Sequence, residues 1–242
     1  DPMVLADPVE VDTRHSSEQV QELLGTLEPI HFPIELPEIF SSSNPGFNCI
    51  LGNPPWDKVH VEEHQWWALR SPGIRGLPIA RMNQAIRDLQ RARPHLVTEY
   101  GQEVAVADCL RKALLSGPYP ELGKSHPDLY KAFSWRYWDA ISEGGTIGVV
   151  LPRSALSSSG MALWRNHLLE NGDFIEVTTC KNSGGWVFDD VAGQYTVALI
   201  SIKKTGPPDN VVAVRGPFSS FSDYRVGIQS LADELPVDGI KK

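Results

Sequence analysis

The chain has 242 residues, of which 41% are hydrophobic, and carries a formal net charge of -8 at pH 7. This length fits one large globular domain with its own core, and the negative charge argues against tight nucleic-acid binding by the chain alone, because such binding usually needs a basic surface. No apolar run approaches the roughly 20 residues that span a bilayer and the N-terminus lacks the pattern of a signal peptide, so we expect a cytoplasmic protein without membrane contact.

The first predicted elements are a short helix and a strand. Residues 1–29 form a polar leading segment, and its pattern predicts a helix over 16–27 with a serine at the first turn. An apolar strand is predicted over 46–52, and the sequence Asn-Pro-Pro-Trp at 53–56 follows it directly. We call residues 53–56 the NPPW loop and expect it to be rigid, because its two central residues are prolines.

The NPPW loop can hold a planar ligand that carries an amine. Pro54 and Pro55 remove two backbone N–H donors, so the carbonyl oxygens of the loop stay free to accept hydrogen bonds. Asn53 adds a side-chain oxygen, and the Trp56 ring can stack on a flat base, a contact worth about 1–3 kcal/mol. Gly52 allows close approach by a ligand, although a glycine that simply ends a strand explains it equally well. The competing interpretation is a turn after a buried strand, with Trp56 in the core.

Residues 57–125 are predicted to be a helical insertion. Apolar residues recur there at helical spacing, and prolines interrupt the pattern at Pro72, Pro78, Pro94 and Pro118. Six arginines lie within residues 70–93, opposed by a single aspartate: Arg70, Arg75, Arg81, Arg87, Arg91 and Arg93. They either contact a phosphate backbone or form the solvated face of a helix.

The rest of the chain alternates helices and strands, which predicts an α/β fold with a doubly wound sheet. A helix over 128–142 is expected to end at Gly144 and Gly145. Strands are predicted over 146–151, 174–179 and 195–202, with a helix over 161–170 and a glycine-rich turn at 183–185. The looser composition of residues 205–242 predicts a linker toward another domain.

The cysteines and histidines do not predict a metal site. Cys49, Cys109 and Cys180 are far apart and odd in number, so they indicate reduced thiols rather than a disulfide framework or a zinc site. The histidines at 60, 64, 126 and 167 also lack the spacing of metal ligands. We therefore expect no bound metal.

Several segments together resemble one family of enzymes. FNCILGNPPWDKV, residues 47–59, resembles motif IV of the amino-methyltransferases, in which an (Asn/Asp/Ser)-Pro-Pro-aromatic loop binds the nitrogen that receives a methyl group. Residues 31–40 resemble the lead-in of Type IIG restriction-modification enzymes and related phage-defence methylases. Matching segments follow in the family's order: SGPYP (116–120), DLYKAF (128–133), GGTIGVVLP (144–152), VFDDV (187–191) and QYTVALI (194–200). The chain is thus similar to part of a DNA adenine-N6 methyltransferase from a bacterium or archaeon.

The resemblance implies a fold, a cofactor and a partner. The fold would be a partial, Rossmann-like class I methyltransferase sheet, and the cofactor would be S-adenosyl-L-methionine. The partner would be double-stranded DNA with one adenine flipped out of the stack. Proteins of a restriction or phage-defence system would be further partners.

The resemblance also implies residue roles. Asn53 and the Pro54 carbonyl would accept hydrogen bonds from the adenine amine, and Trp56, where the family commonly has Tyr or Phe, would stack on the base. Phe188 would close the opposite face, with Trp186 as the alternative. Asp128 and Phe133 match the motif after the insertion and would lie near the cofactor, although a helix N-cap and a core aromatic are alternative roles for them.

One element of the family is absent from the sequence. A glycine-rich turn of the type Asp-Pro-x-x-Gly-x-Gly, where backbone approaches the cofactor, does not occur before Asn53. We interpret residues 1–204 as the C-terminal part of a catalytic domain, followed by the linker and a DNA-recognition domain, and expect negligible activity from the chain alone.

Two other functions remain open. One is an amino-methyltransferase that acts on a protein glutamine or an RNA guanine, because the NPPW loop suits any planar amine. The insertion and the lead-in count against it. The other is a methylase-like module that serves as a binding platform without catalysis.

Overall fold

The computed structural model describes residues 30–120, 122, 127–205 and 211–237. The chain divides into two compact units. The sheet unit comprises the residues up to Asp57 and those from Pro118 onward, and the helical unit comprises Lys58–Gly117.

The sheet unit is built on six strands. They are β1 (Phe47–Gly52), β2 (Ile141–Pro152), β3 (Asp173–Lys181), β4 (Thr196–Lys203), β5 (Val211–Phe218) and β6 (Asp233–Pro236), in the spatial order β1-β2-β4-β3-β5-β6. β1 pairs parallel with β2, and β4 runs antiparallel between β2 and β3. β5 pairs parallel with β3 and antiparallel with β6. Four strands, β1, β2, β3 and β5, therefore point in one direction.

The helices of the sheet unit connect these strands. Two short helices precede β1, α1 (Phe32–Glu35) and α2 (Pro37–Phe40). The helical unit then provides α3 (Glu63–Arg70), α4 (Ile79–Ala92) and α5 (Pro94–Ser116), and α6 (Leu129–Ala140) leads into β2. α7 (Ala162–Asn171) leads from β2 to β3, and α8 (Phe221–Gly227) lies between β5 and β6. Parallel strands joined through helices confirm the predicted α/β class. The antiparallel β4 makes the sheet mixed.

Alternation of buried side chains explains why the central strands form. Ile147, Val149 and Leu151 of β2 are buried, whereas the residues between them are only partly covered. In β4, Ile200 and Ile202 are at most 1% exposed. A period of two is the pattern of a strand that packs one face on a core. Helix α7 adds to this core with Trp164 and Leu168, which are four residues apart and share one face.

The helical unit contains three helices: α3 (Glu63–Arg70), α4 (Ile79–Ala92) and α5 (Pro94–Ser116). Its own core consists of buried side chains from all three and from the turn between α3 and α4: Trp66, Trp67, Ile74, Ile86 and Leu96. The four prolines lie at or outside helix ends, as the sequence predicts, since proline is tolerated at the first turn but disrupts the interior.

Two expectations are corrected. The helix predicted over 128–142 ends at Ala140, and Gly144 and Gly145 lie inside β2, where the register with β1 shifts between Phe47 and Cys49. Residues 205–242 are not simply a linker. They contribute β5, α8 and β6 to the sheet unit, and Val212 and Val237 are buried in the main core. The predicted helix over 16–27 lies outside the described residues.

Burial of Asp139 on α6 predicts a pH-dependent stability. Burial raises the pKa of this carboxyl to about 6, against the opposing effects of Arg136 and Lys204. A raised pKa favours the protonated folded form, so the unfolding free energy should fall as the pH rises from about 4 to about 6. Asp139→Asn should remove this fall. The variant should be roughly 1–2 kcal/mol more stable than the natural protein above about pH 6.5, and the two proteins should be equally stable below about pH 3.5. Urea unfolding across this pH range is the measurement, and parallel stability curves for the two proteins would contradict the prediction.

Candidate active site at the end of strand β1

The candidate site lies at the carboxyl ends of the parallel strands. β1, β2 and β3 run in the same direction, so the segments that follow them leave the sheet at the same end. In α/β sheets, ligands commonly bind outside the carboxyl ends of the strands. The NPPW loop follows β1 there, and the segment 182–195 follows β3.

The NPPW loop exposes the Asn53 side chain and partly buries the Trp56 ring. Asn53 and Pro55 are exposed, Pro54 is buried, and Trp56 is half-buried against the main core. Among the described residues, no side chain or loop backbone group hydrogen-bonds to the Asn53 amide or to the Pro54 carbonyl. The end of the loop is anchored, because the Leu129 backbone N–H at the start of α6 donates to the carbonyl of the next residue, Asp57, at 3.1 Å.

Phe188 lies against Trp56. Their ring centroids are 5.9 Å apart and the ring planes are perpendicular, an edge-to-face contact. A cavity of about 280 Å³ is lined by these two rings together with Asn53, Pro54, Pro55 and Val191. This volume is near the lower end of the range of about 300–1,000 Å³ for small-molecule sites, so the cavity suits a ligand the size of one heterocycle.

The alternative aromatic residue, Trp186, faces elsewhere. Its indole Nε1–H donates to the Lys181 carbonyl at 2.7 Å, and its ring lies 6.1 Å from that of Tyr224. Of the two aromatic residues that the sequence leaves as alternatives, Phe188 is the one that the structure brings to the NPPW loop.

The space beside Gly52 is occupied by a tyrosine. A Cβ at Gly52 would lie 2.5 Å from the hydroxyl of Tyr137, so the close approach that this glycine permits is made by a side chain of the protein. Burial raises the pKa of Tyr137. Phe133, one turn earlier on α6, is 37% exposed and packs against Tyr137 at a centroid distance of 5.9 Å. An exposed aromatic ring therefore lies near the end of β1.

Asp128 is engaged in an ion pair. It occupies the N-cap position of α6, and its carbonyl accepts from the Lys131 backbone N–H at 3.1 Å, but its carboxylate accepts no capping bond from a backbone N–H of the first turn. Its Oδ2 lies 2.9 Å from the Nζ of Lys131, whose side chain is only 5% exposed. A buried ammonium needs a compensating charge, so this pair explains Asp128 without a ligand.

Two residues near the site, Tyr137 and Asn182, cannot be identified from the sequence pattern. Tyr137 has the spacing of a core residue on α6, and its contact with Gly52 of β1 is seen only in the folded structure. Asn182 directly follows β3 and is fully buried, at 0% exposed. An asparagine before Ser-Gly-Gly indicates a turn. The burial of Asn182 and its hydrogen-bond partners are evident only in the folded structure.

The described residues contain neither a cluster of metal ligands nor a membrane-spanning helix. In the described part of the chain, no three His, Cys, Asp or Glu side chains converge as a metal site would require. None of the helices described is both long and apolar enough to cross a membrane.

Comparisons with known proteins give distant structural likenesses. No family model matches the sequence, and no curated protein matches it. A modification subunit of a putative type I restriction enzyme from Vibrio vulnificus YJ016 is similar at 13% identity and a TM-score of 0.46, over 80% of this chain and 34% of that one. The DrdV–DNA complex gives 13% identity and a TM-score of 0.43, over 81% of this chain and 18% of that one. The ATP-dependent Type ISP restriction-modification enzyme LlaBIII bound to DNA gives 16% identity and a TM-score of 0.40, over 78% of this chain and 12% of that one.

The chain spans about a third or less of the length of each of these proteins. Similarity at this level assigns no activity to the chain.

Proposed function

We propose that the chain is the substrate-amine part of an S-adenosyl-L-methionine-dependent DNA adenine-N6 methyltransferase of a restriction-modification or phage-defence system. The observation that carries the proposal is the cavity at the end of β1. Asn53 and the Pro54 carbonyl offer acceptors there without partners among the described residues, and the rings of Trp56 and Phe188 form the adjoining wall. This combination suits a planar ring with an exocyclic amine.

The two rings bind the base in our proposal. Trp56 and Phe188 contact each other edge to face at 5.9 Å. A base stacked between two rings keeps each at about 3.5–4.0 Å, so the Phe188 side chain must swing away from Trp56 when the base enters. The free energy of stacking then offsets the few kcal/mol needed to flip the base.

The acceptors act on the amine nitrogen. The Asn53 side-chain oxygen and the Pro54 carbonyl accept the two N6 hydrogens, which aligns the nitrogen for attack and places two dipoles where positive charge develops. When the nitrogen takes up a methyl group it would release one proton to water, and the Asn53 and Pro54 oxygens would hold the nitrogen in place while it carries positive charge. S-adenosyl-L-methionine supplies the electrophilic methyl group when bound.

The described residues fit that cofactor in part. Phe133 provides an exposed ring close to the end of β1, which suits contact with a flat adenosine group. Asp128 is a weaker candidate for the cofactor site, because its carboxylate is already paired with Lys131.

A basic face of α4 supports contact with a phosphate backbone. Arg81, Arg87 and Arg91 are exposed on one side of the helix. The contacts of Arg87 with Gln84 and of Arg91 with Asp88 are exposed surface contacts, which cost little to exchange for phosphate. Arg70 has a different role, because it packs 3.4 Å from the Trp66 ring and pairs with Glu99 and Glu103.

Replacing the three exposed arginines with glutamine tests this interface. In the full-length protein, the triple variant should bind DNA of every sequence more weakly, and the dependence of log K on log salt concentration should become shallower by about 0.9 for each phosphate that an arginine no longer neutralises. Arg111→Gln, an exposed position on α5, is the control. An unchanged salt slope in the triple variant would remove this face from the interface.

The function itself is tested by the product. The full-length protein is expressed in cells that lack other adenine methylases, and digests of DNA, RNA and protein are analysed by mass spectrometry. N6-methyladenine in one DNA sequence context is the expected result. Methylated glutamine in protein or methylated guanine in RNA would show that the substrate is that amine and not DNA adenine. The absence of any new methylation from a folded protein would indicate a module without catalysis.

A further inference from the structure

We propose that Asn182 is the positioning residue that fixes the Phe188 wall of the base cavity. The loop between β3 and β4 carries both Phe188 and Val191, two of the residues that line the cavity. Because the proposal assigns Phe188 a role toward a base, it rests on the proposed function, although the placement of the loop can be measured independently.

The side-chain amide of Asn182 makes four hydrogen bonds to the loop backbone. Its Oδ1 accepts from the N–H groups of Val187 and Phe188, both at 3.0 Å. Its Nδ2 donates to the carbonyls of Phe188 at 2.9 Å and Val191 at 2.7 Å. These are two donors and two lone pairs, the full capacity of an asparagine amide.

The backbone of Asn182 ties the loop to its own ends. Its N–H donates to the Tyr195 carbonyl at 2.8 Å, directly before β4, and its carbonyl accepts from the Gly185 N–H at 3.0 Å. The residue is 0% exposed, so water does not compete for these bonds. The amide therefore supplements the few backbone–backbone bonds of the loop, such as the one from the Val191 N–H to the Phe188 carbonyl at 3.4 Å.

Phe188 is held at both its N–H and its carbonyl by this one amide. Its backbone is consequently fixed, and only the side-chain torsions remain to swing the ring from Trp56 onto a base. Asn182 does not line the cavity, so it acts on the substrate only through Phe188 and Val191.

Asparagine is the side chain that this position needs. Aspartate has nearly the same shape but no N–H, so Asn182→Asp would direct a carboxylate oxygen at the carbonyls of Phe188 and Val191 and bury a charge. Asn182→Ser retains one hydroxyl and would satisfy at most part of the set. Both changes should release the loop, the aspartate more strongly.

The position of the Phe188 ring can be followed by placing 4-fluorophenylalanine at 188 in the full-length protein and recording its ¹⁹F spectrum. The natural protein should give one resonance, and Asn182→Asp should shift it, broaden it or split it. Asn171→Asp is the matched control, because the Asn171 amide makes a single bond to the His167 carbonyl at an exposed helix end. If Asn182→Asp fails to fold, Asn182→Ser replaces it.

Hydrogen exchange of the natural protein adds a test that needs no variant. The Val187 and Phe188 amide protons should be protected, since Asn182 Oδ1 accepts both. In methylation kinetics, Asn182→Ser should raise KM for DNA roughly ten-fold or more while kcat changes less, as expected when the Phe188 ring contributes less to binding the base.

The outcomes separate the two proposals. An unchanged ¹⁹F resonance in both Asn182 variants, or rapid exchange at 187 and 188, would overturn the role of Asn182 whatever the enzyme does. A loop that moves in the variants of a protein without any methylation activity would retain the role of Asn182 in shaping the loop and remove the proposed function. A fall in kcat of Asn182→Ser with no change in its KM for DNA would also contradict a role of Asn182 in holding the Phe188 wall for the base.

Discussion

Asn53→Ala in the full-length protein is expected to lower kcat/KM for DNA adenine methylation by roughly 100- to 1,000-fold, the usual effect of losing one preorganised polar contact at the reacting centre. The side chain is exposed, so its removal should leave the unfolding free energy within about 0.5 kcal/mol. Asn53→Asp retains an acceptor oxygen and should keep more activity than the alanine variant. Methyl transfer to a DNA duplex that contains the target site is the measurement.

Asn48→Ala is the control for this experiment. Asn48 is exposed on β1, the strand that precedes the NPPW loop, and among the described residues its Oδ1 accepts a 3.3 Å contact from the Ser142 hydroxyl. It should keep near-natural activity. Full activity in Asn53→Ala would remove the amine-binding role of the loop, and an equal loss in Asn48→Ala would attribute the effect to β1 as a whole.

Those parts of the fold that depend on local sequence could be predicted. The apolar run before Asn53 and the two prolines after it determine a strand and a rigid loop by their own stereochemistry. The apolar runs in 146–151 and 195–202 likewise identify β2 and β4. Each of these features involves neighbours in the chain, so a single sequence contains the information.

Features that depend on distant pairing could not be predicted. The position of β4 between β2 and β3, antiparallel to both, depends on which strands meet, and period-two patterns do not encode that choice. The misassigned segment 205–242 illustrates the same point. Its run Val211-Val212-Ala213-Val214 is short and follows two prolines, and it becomes recognisable as a strand through its pairing with β3 and β6.

The candidate site shows the same division. The sequence resemblance favours Phe188, but Trp186 lies two residues away in the same loop and remains an alternative. The choice is made by hydrogen bonds: Trp186 donates to Lys181, whereas Asn182 holds the backbone of Phe188 beside Trp56. Gly52 is similar, because the glycine is evident in the sequence but the Tyr137 hydroxyl that fills its open side is not.

Asp128→Ala should destabilise the protein by about 3 kcal/mol, because it leaves the buried Lys131 ammonium without the Asp128 carboxylate. In the double variant Asp128→Ala/Lys131→Met the charge is absent and an apolar side chain of similar length fills the space. Most of the stability should therefore return. Urea unfolding of the natural protein and of both variants at pH 7 measures the change.

The same double variant decides whether Asp128 also contacts the cofactor, as the sequence resemblance implies. If the carboxylate serves only the ion pair, methylation activity of the full-length protein should return together with stability, and KM for S-adenosyl-L-methionine should be unchanged. If the double variant is stable but its KM for the cofactor rises ten-fold or more, the carboxylate has a second partner in the complete enzyme. A double variant as unstable as Asp128→Ala would show that Asp128 stabilises α6 by something other than the charge of Lys131.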